Sequence, residues 1–512
     1  MKLPHLFSLT IASASLVSTA YAQTFKPADD CFNRLDTISM PSVAFNTGIY
    51  DKNPAIRSYQ YDFSITDVSL FHSSSSREDG AFLPWQGTGD MATGGIVDAY
   101  LKVNKQLTAW GSASFVASHD WNVRWNSAID YLRISPYVLA DSVGGNSSVQ
   151  QYRFNGGVSY ALGRWNIGAE AAYRAEIAYR HRDPRIKDVV SDLYFSAGAT
   201  YHINNWVLGG ALGITVYNQE DDVDFYNPVN NIRTYCLTGL GSVYPRFSNG
   251  GTGTSAYEGT GLYGSLQLCQ TGQRGLKFNI SGGKETLTQR IREFNNLNLT
   301  SSSTYELNSS IIYTLPRALS FAADGFWVRR IGTENIFGTS VGNSYPKISS
   351  RQNYIADFAG GCFSVPVEVG ICSNLKMNVA PKFGGAYVRE FLREPNRLCE
   401  YSYMSPSLDL SLVWRSSKRL RWAFDFCAKR NFAHTIESRL TGLTENTERG
   451  EITILQSELL SSCSTDIYGS ARCDFKIDRM PLLYMKGSFR NVTYSKMKAD
   501  SDNFKIAIGA TF

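Results

Sequence analysis

The chain has 512 residues, with 50 Lys and Arg against 45 Asp and Glu, and a formal net charge of +5. That charge is small for the length and does not point to a nucleic-acid partner. Aromatic residues make up 13% and glycine numbers 43, a mixture that arises where apolar and polar residues alternate along strands.

In chain order, Lys2, the apolar run from Leu6 to Val17 and the small-x-small triplet Ala20-Tyr21-Ala22 predict a secretory signal peptide, residues 1–22, removed after Ala22. The first cysteine is Cys31, so no lipid-bearing cysteine follows that site. No later apolar run reaches the roughly 20 residues of a transmembrane helix, so passage through a membrane must use strands. Residues 23–58 show neither helix nor strand periodicity and are expected to form an N-terminal periplasmic or plug-like segment.

From residue 59 to 512 the pattern is period-two alternation, without a linker or composition shift to divide it. Strands are predicted near 59–72, 92–103, 107–120, 150–162, 165–181, 189–203, 206–219, 257–269 and 276–292. They continue near 304–315, 318–331, 350–364, 374–392, 403–415, 420–434, 464–477, 481–496 and 503–512. Residues 451–462 read equally as an added strand or a loop helix, and a 16-strand count stays open beside about 18. Tight connections at 104–106, 163–164, 204–205, 271–273, 316–317, 416–418 and 478–479 alternate with long ones, such as 121–149, 220–255 and 435–463. Such sorting is expected of an all-β, single transmembrane antiparallel β-barrel with short periplasmic turns and long extracellular loops. The terminal run Phe504 to Phe512 alternates apolar and polar residues and ends on an aromatic, the form of a barrel-closing strand, with Phe512 as the assembly signal.

One face of each strand is apolar. Leu420, Trp422, Phe424 and Phe426 oppose Arg421, Ala423, Asp425 and Cys427, for example. Trp165, Trp206, Trp414 and Trp422 stand near tight turns, where an interfacial girdle belongs. The opposite faces nominate a lumen lining of Asp98, Lys102, Arg153, Glu170, Arg174, Asp324, Lys376, Lys382, Asp409, Arg415, Arg421, Asp425, Lys486 and Arg490. These charges form either a structural lattice or a selectivity-setting lining, whose slight basic surplus favours anionic or sugar-like solutes. Its late cluster, from Lys376 to Arg490, gives one wall a positive bias.

Chemistry-bearing motifs are sparse. No nucleophile elbow, zinc-binding helix motif or phosphate-cradling loop stands on a suitable element, so no enzyme activity, cofactor or metal is expected. His72, His119, His181 and His434 fall near outer strand ends, where surface residues are commonplace. The acidic run from Glu220 to Asp224 reads as a solvated loop or a divalent-cation site. Nine cysteines include two near-sequence pairs, Cys362 with Cys372 and Cys463 with Cys473, as the first disulfides to test.

Two stretches carry likenesses to families. Asn53-Pro54-Ala55 resembles the hatch tripeptide of the long-chain fatty acid transporter family, over three residues only. Gly87 to Phe115, Asp120 to Asn126, Tyr152-Arg153-Phe154, Ala172-Tyr173-Arg174 and Tyr179 to Arg185 together resemble a Bacteroidota outer-membrane barrel family, catalogued as domain of unknown function 6850. That resemblance implies a barrel over residues 59–512 in the outer membrane of a Gram-negative bacterium. Outer-membrane lipid and the barrel-assembly machinery would be its partners, and it implies no catalytic residues. The function expected first is a pore or transport channel for small solutes, as an accessory to a TonB-dependent receptor or beside a surface lipoprotein. A non-conducting barrel for assembly, secretion or anchoring and a lipophilic-substrate transporter stay open.

Overall fold

The computed structural model describes residues 29–512 apart from 228–231, 248–252, 273, 316–318, 343, 373 and 445. The signal peptide, Gln273 and the Pro316-Arg317 turn fall outside the described residues.

Eighteen staves form one closed antiparallel sheet. They are β1 (Ile65–Arg77), β2 (Gly89–Lys102), β3 (Leu107–Val123), β4 (Gly145–Leu162), β5 (Trp165–Arg180) and β6 (Arg185–Ile203). Next come β7 (Trp206–Asp224), β8 (Gly253–Gln270), β9 (Gly275–Ile291), β10 (Leu297–Thr314) and β11 (Ser320–Phe337). The stave β12 is made of two segments, Lys347–Ser364 and Val367–Cys372, both paired with β13 (Leu375–Leu392). The wall ends with β14 (Arg397–Ser417), β15 (Leu420–Leu440), β16 (Ser464–Phe475), β17 (Leu482–Tyr494) and β18 (Ala499–Thr511).

Closure is made by the terminal strand. Residues Ser501 to Thr511 of β18 pair with Arg77 to Asp67 of β1, and the other edge of β18 pairs with β17. Beyond β18, the Phe512 amide donates to the Thr66 carbonyl at 2.8 Å. In lipid each unpaired backbone group would cost several kcal/mol, so a spanning sheet must close in this way. Phe504, Ile506 and Ile508 point outward and are exposed, while Lys505 points inward with its amine 4.0 Å from the Phe71 ring centre.

Alternation decides which side chains meet lipid. On β7, Leu208, Leu212 and Ile214 are exposed, while Val207 and Ala211 are buried inside. Trp165 and Trp414 are exposed at the tight-turn end, and Trp414 lies in register opposite Trp422. Two corrections to the strand bounds follow from the same physics. At the loop end many strands run several residues further than the alternation predicts, as on β7, which continues from 219 to Asp224. There the outward residues Asn218, Glu220 and Asp222 are polar. The apolar signal therefore stops at the lipid boundary while the backbone ladder continues into water. The first strand starts at Ile65 rather than 59, because Tyr61 and Phe63 stack on each other before the wall begins.

Residues 29–64 lie against the inner face of the wall and hold two helices, α1 (Asp29–Ile38) and α2 (Pro41–Tyr50), where no periodicity predicted any. Helices of ten residues are marginal alone, and these are stabilised by the wall. Cys31, Phe32 and Leu35 of α1 pack on Leu482. Ile49, Tyr50 and Ile56 pack on Val207, Cys269, Ile312 and Ala322 from the wall. At the loop end, α3 (Tyr131–Ile134) lies between β3 and β4, and α4 (Glu448–Leu460) settles 451–462 as a loop helix. A small sheet of Leu139–Asp141, Thr234–Gly239 and Ser242–Val243 ties two long loops together.

Candidate functional site

At the turn end, charges of the wall converge on α1. The Asp36 carboxylate accepts from Arg421 Nε at 2.7 Å and from Arg415 at 2.6 Å, and Lys376 stands 3.9 Å away. Arg421 also donates to Asp474 at 2.7 Å and is fully buried. This alters the expected positive bias of that wall. Three of its cations are drawn onto one inner carboxylate, and Arg490 is paired with Asp466 at 2.6 Å.

Further along the inner segment, Asn53 is fully buried. Its amide donates to Gln267 Oε1 at 2.9 Å and its oxygen accepts from the Ala55 amide at 2.9 Å. The Ala55 carbonyl takes Ser159 Oγ at 3.2 Å and Asn166 Nδ2 at 3.3 Å. The wall makes room with glycine: a Cβ on Gly198 would fall within the Asn53 amide, and one on Gly168 would stand 2.5 Å from the Pro54 carbonyl carbon. Arg57 reaches Glu170 at 3.3 Å, Trp110 Nε1 donates to the same carboxylate at 3.1 Å, and Lys102 reaches the Ser58 carbonyl.

All fourteen nominated lining residues lie on the inner face, and the structure sorts them. Lys102, Glu170, Lys376, Arg415 and Arg421 hold the inner segment. Arg174 holds the loop described below. Lys382 pairs with Asp409 at 2.6 Å, and Asp425 accepts from Ser411 and Ser470. Asp98, Arg153, Asp324 and Lys486 have no ion-pair partner among the described residues.

At the loop end, the segment around α3 folds into the mouth. Asp130 is bound by Arg174 and by Tyr217 Oη at 2.9 Å. Burial pushes the Asp130 carboxyl up, but the hydrogen bonds from Arg174 and Tyr217 outweigh it and hold it below the usual range. Arg133 pairs with Glu285 at 2.5 Å and Asp192 at 2.7 Å, and lies over the Tyr217 ring. Arg330 donates to the carbonyls of Leu132 and Ser135 at 2.8 and 2.6 Å. Arg180 pairs with Asp141 at 2.5 Å, both buried. On the far side, Tyr401 Oη lies 2.6 Å from Ser457 Oγ of α4.

Between this loop and the inner faces of β3 to β6 is a cavity of about 480 Å³. Trp85 and Tyr131 form part of its lining, stacked with ring centres 4.6 Å apart and planes 7° from parallel. Four carboxylates also line it, among them Asp130, held by Arg174 and Tyr217. Glu176 is satisfied by Gln151 at 2.6 Å and Arg174 at 3.0 Å. Asp188 is buried, with Oδ1 unpartnered, directly opposite Asp221 in register. Asp120 has no hydrogen-bond or ion-pair partner among the described residues. Both unneutralised groups sit above the lipid belt, beyond the outward polar positions His119 and Asn218. Burial, and then the neighbouring Asp221, raise the Asp188 carboxyl. Burial, and then Asp90, push that of Asp120 up to about 6.

Of these residues, Arg174 was nominated from sequence as lumen lining. Trp85, Tyr131 and Asp188 carried no signal, because it is register and loop folding that bring them together. The acidic run from Glu220 to Asp224 is the end of β7 rather than a loop. Its side chains alternate faces, Asp221 inward and Glu220, Asp222 and Asp224 outward, so the run does not form one cluster. Among the described residues no three His, Cys, Asp or Glu side chains gather to hold a metal, and no disulfide joins the nine cysteines.

The family of unknown function DUF6850 matches residues 54–512. The chain belongs to that family. No protein of curated function matches it in sequence. Among solved structures, the DUF6850 barrel is similar to a mutant ferric enterobactin receptor of Pseudomonas aeruginosa. Identity is 7%, the TM-score is 0.40, and the match covers 88% of this chain and 80% of that one. For the ferric preacinetobactin receptor of Acinetobacter baumannii the values are 9%, 0.38, 87% and 80%. For a bacterial polysaccharide outer membrane secretin they are 11%, 0.32, 87% and 98%. These likenesses concern the barrel fold alone.

Proposed function

We propose that the DUF6850 barrel is an outer-membrane transporter for small solutes, closed at rest by residues 29–64 and opened when that segment moves. The tight-turn end then faces the periplasm and the cavity faces outward. The observation that carries this is how the segment is held. Apart from the apolar contacts of α1 with Leu482 and of Ile49, Tyr50 and Ile56 with the wall, its attachments are discrete and polar: the Asp36 cluster and the Asn53 latch. Neutral hydrogen bonds exchange with water at a net cost of about 0.5–1.5 kcal/mol each and those to charged groups at about 1.5–3 kcal/mol, so such a seal can be undone without unfolding the wall. A wall of this strand number encloses an aqueous channel once it is emptied.

Planar-bilayer recording tests it. The full chain is expected to conduct little, and a variant lacking residues 23–58 is expected to give steady current. A folded but silent deletion variant would refute the proposal and favour a non-conducting scaffold, for which co-purification with a TonB-dependent receptor or surface lipoprotein is the next measurement. A lipophilic substrate has less support, since the cavity is lined by Asp120, Glu176 and Asp188.

A further inference from the structure

We infer that the loop-end cavity takes a small organic cation, its ammonium or guanidinium group set against Asp120 and its apolar part on the Trp85–Tyr131 pair. The inference rests on the transport proposal and names its substrate class.

The charge count around the cavity decides it. Two arginines line the space, and both are engaged elsewhere: Arg133 by Glu285 and Asp192, Arg180 by Asp141. Glu176 is likewise satisfied by Arg174 and Gln151. What remains is negative. Asp120 is free of partners among the described residues, and Asp188 presents a buried oxygen with no donor beside the equally unpartnered Asp221 Oδ2. A buried acceptor left unsatisfied is costly, and an N–H from a ligand would remove that cost. An anionic ligand would meet like charge in a confined space. A neutral sugar would stack on the aromatic pair but leave the Asp120 carboxylate uncompensated. An aromatic face within about 6 Å also attracts a cation, adding to the same preference. The volume of about 480 Å³ falls in the roughly 300–1,000 Å³ range of small-molecule sites.

The test is calorimetry on the detergent-purified full chain with three matched probes: phenethylammonium, neutral 2-phenylethanol and anionic 3-phenylpropanoate. The amine is expected to bind at least about tenfold more tightly than either other probe, from one charge-assisted hydrogen bond. Asp120→Asn is expected to weaken amine binding by about 10- to 100-fold, while Asp120→Glu retains it. Heat-modifiable migration checks that each variant is folded. Absence of amine binding, equal binding of the alcohol or the propanoate, or a folded Asp120→Asn variant that binds like the wild type would each overturn the inference. Amine binding without passage through liposomes bearing the 23–58 deletion would leave the site standing and sink the transport proposal. Current with no amine binding would do the reverse.

Discussion

Gly198→Val separates the inner segment from the wall that holds it. Gly198 faces inward on β6, and a Cβ there would overlap the Asn53 amide, with Ala211 Cβ next at 3.0 Å. The wall itself should tolerate the change, since valine suits a strand better than glycine does. Asn53 would be expelled, losing its bond to Gln267, the one that joins it to the wall. At about 0.5–1.5 kcal/mol net for that bond, docking weakens by as much. The open fraction should then rise about 2- to 13-fold, short of saturation. The assay is single-channel recording of the full chain, with Gly210→Val as the control. Gly210 faces outward, and a Cβ there would meet Leu266 at an ordinary 3.6 Å. Unchanged opening in a folded Gly198→Val barrel, or equal opening in the Gly210→Val control, would refute the latch.

Other expected outcomes test the remaining contacts. Asp36→Asn leaves Arg415 and Arg421 without their shared carboxylate. Breaking a buried pair costs about 3–5 kcal/mol, and the loss should fall at the low end because Arg421 keeps Asp474. Limited proteolysis should then cleave residues 29–64 in an intact barrel, whereas continued protection would count against a charged anchor. Amine binding in the cavity should be full at pH 7.5 and fall as the pH drops through about 6, because the Asp120 carboxyl is raised and carries charge only above that value. The groups bearing on Asp120 are Asp90 and Glu176, which raise it, and Arg77, which lowers it, and a flat calorimetric profile from pH 7.5 to 5 would contradict the assignment. Deleting Phe512 removes the last ladder bonds to Thr66 and should lower the yield of heat-modifiable barrel in membranes, and normal insertion would argue against a role in closure.

The wall was legible because its cause is local. On β15, Leu420, Trp422, Phe424 and Phe426 alternate with Arg421, Ala423, Asp425 and Cys427, and a strand in lipid has only one way to place such a set. The order of tight and long connections told the two ends of the wall apart. Strand ends were less legible, since Asn218, Glu220 and Asp222 face water on a ladder that has already left the lipid. The helices of the inner segment were missed because they are short: Cys31, Phe32 and Leu35 do share one helical face, but over only ten residues, and Leu482, Val207 and Ile312 supply the apolar surface that stabilises them.

The charge of the lumen was only partly legible, for a deeper reason. Adding inward-facing residues gives a slight basic surplus, yet Lys376, Arg415 and Arg421 all turn to Asp36, a residue with no pattern to announce it. At the mouth, Arg133, Arg174 and Arg180 are likewise taken by carboxylates, and the balance left to a solute is negative. Selectivity depends on charges that survive pairing, and pairing depends on register and on loops that no face count contains. Asp188 and Asp221 make the point: each lies on a strand read as ordinary wall or loop, and only the β6–β7 register puts them side by side. A conductance experiment should therefore change Lys486 or Arg153, which have no ion-pair partner among the described residues, rather than Arg421. Reversing Lys486 should alter ion preference in the variant lacking residues 23–58, whereas reversing Arg421 in the full chain should disturb the plug first.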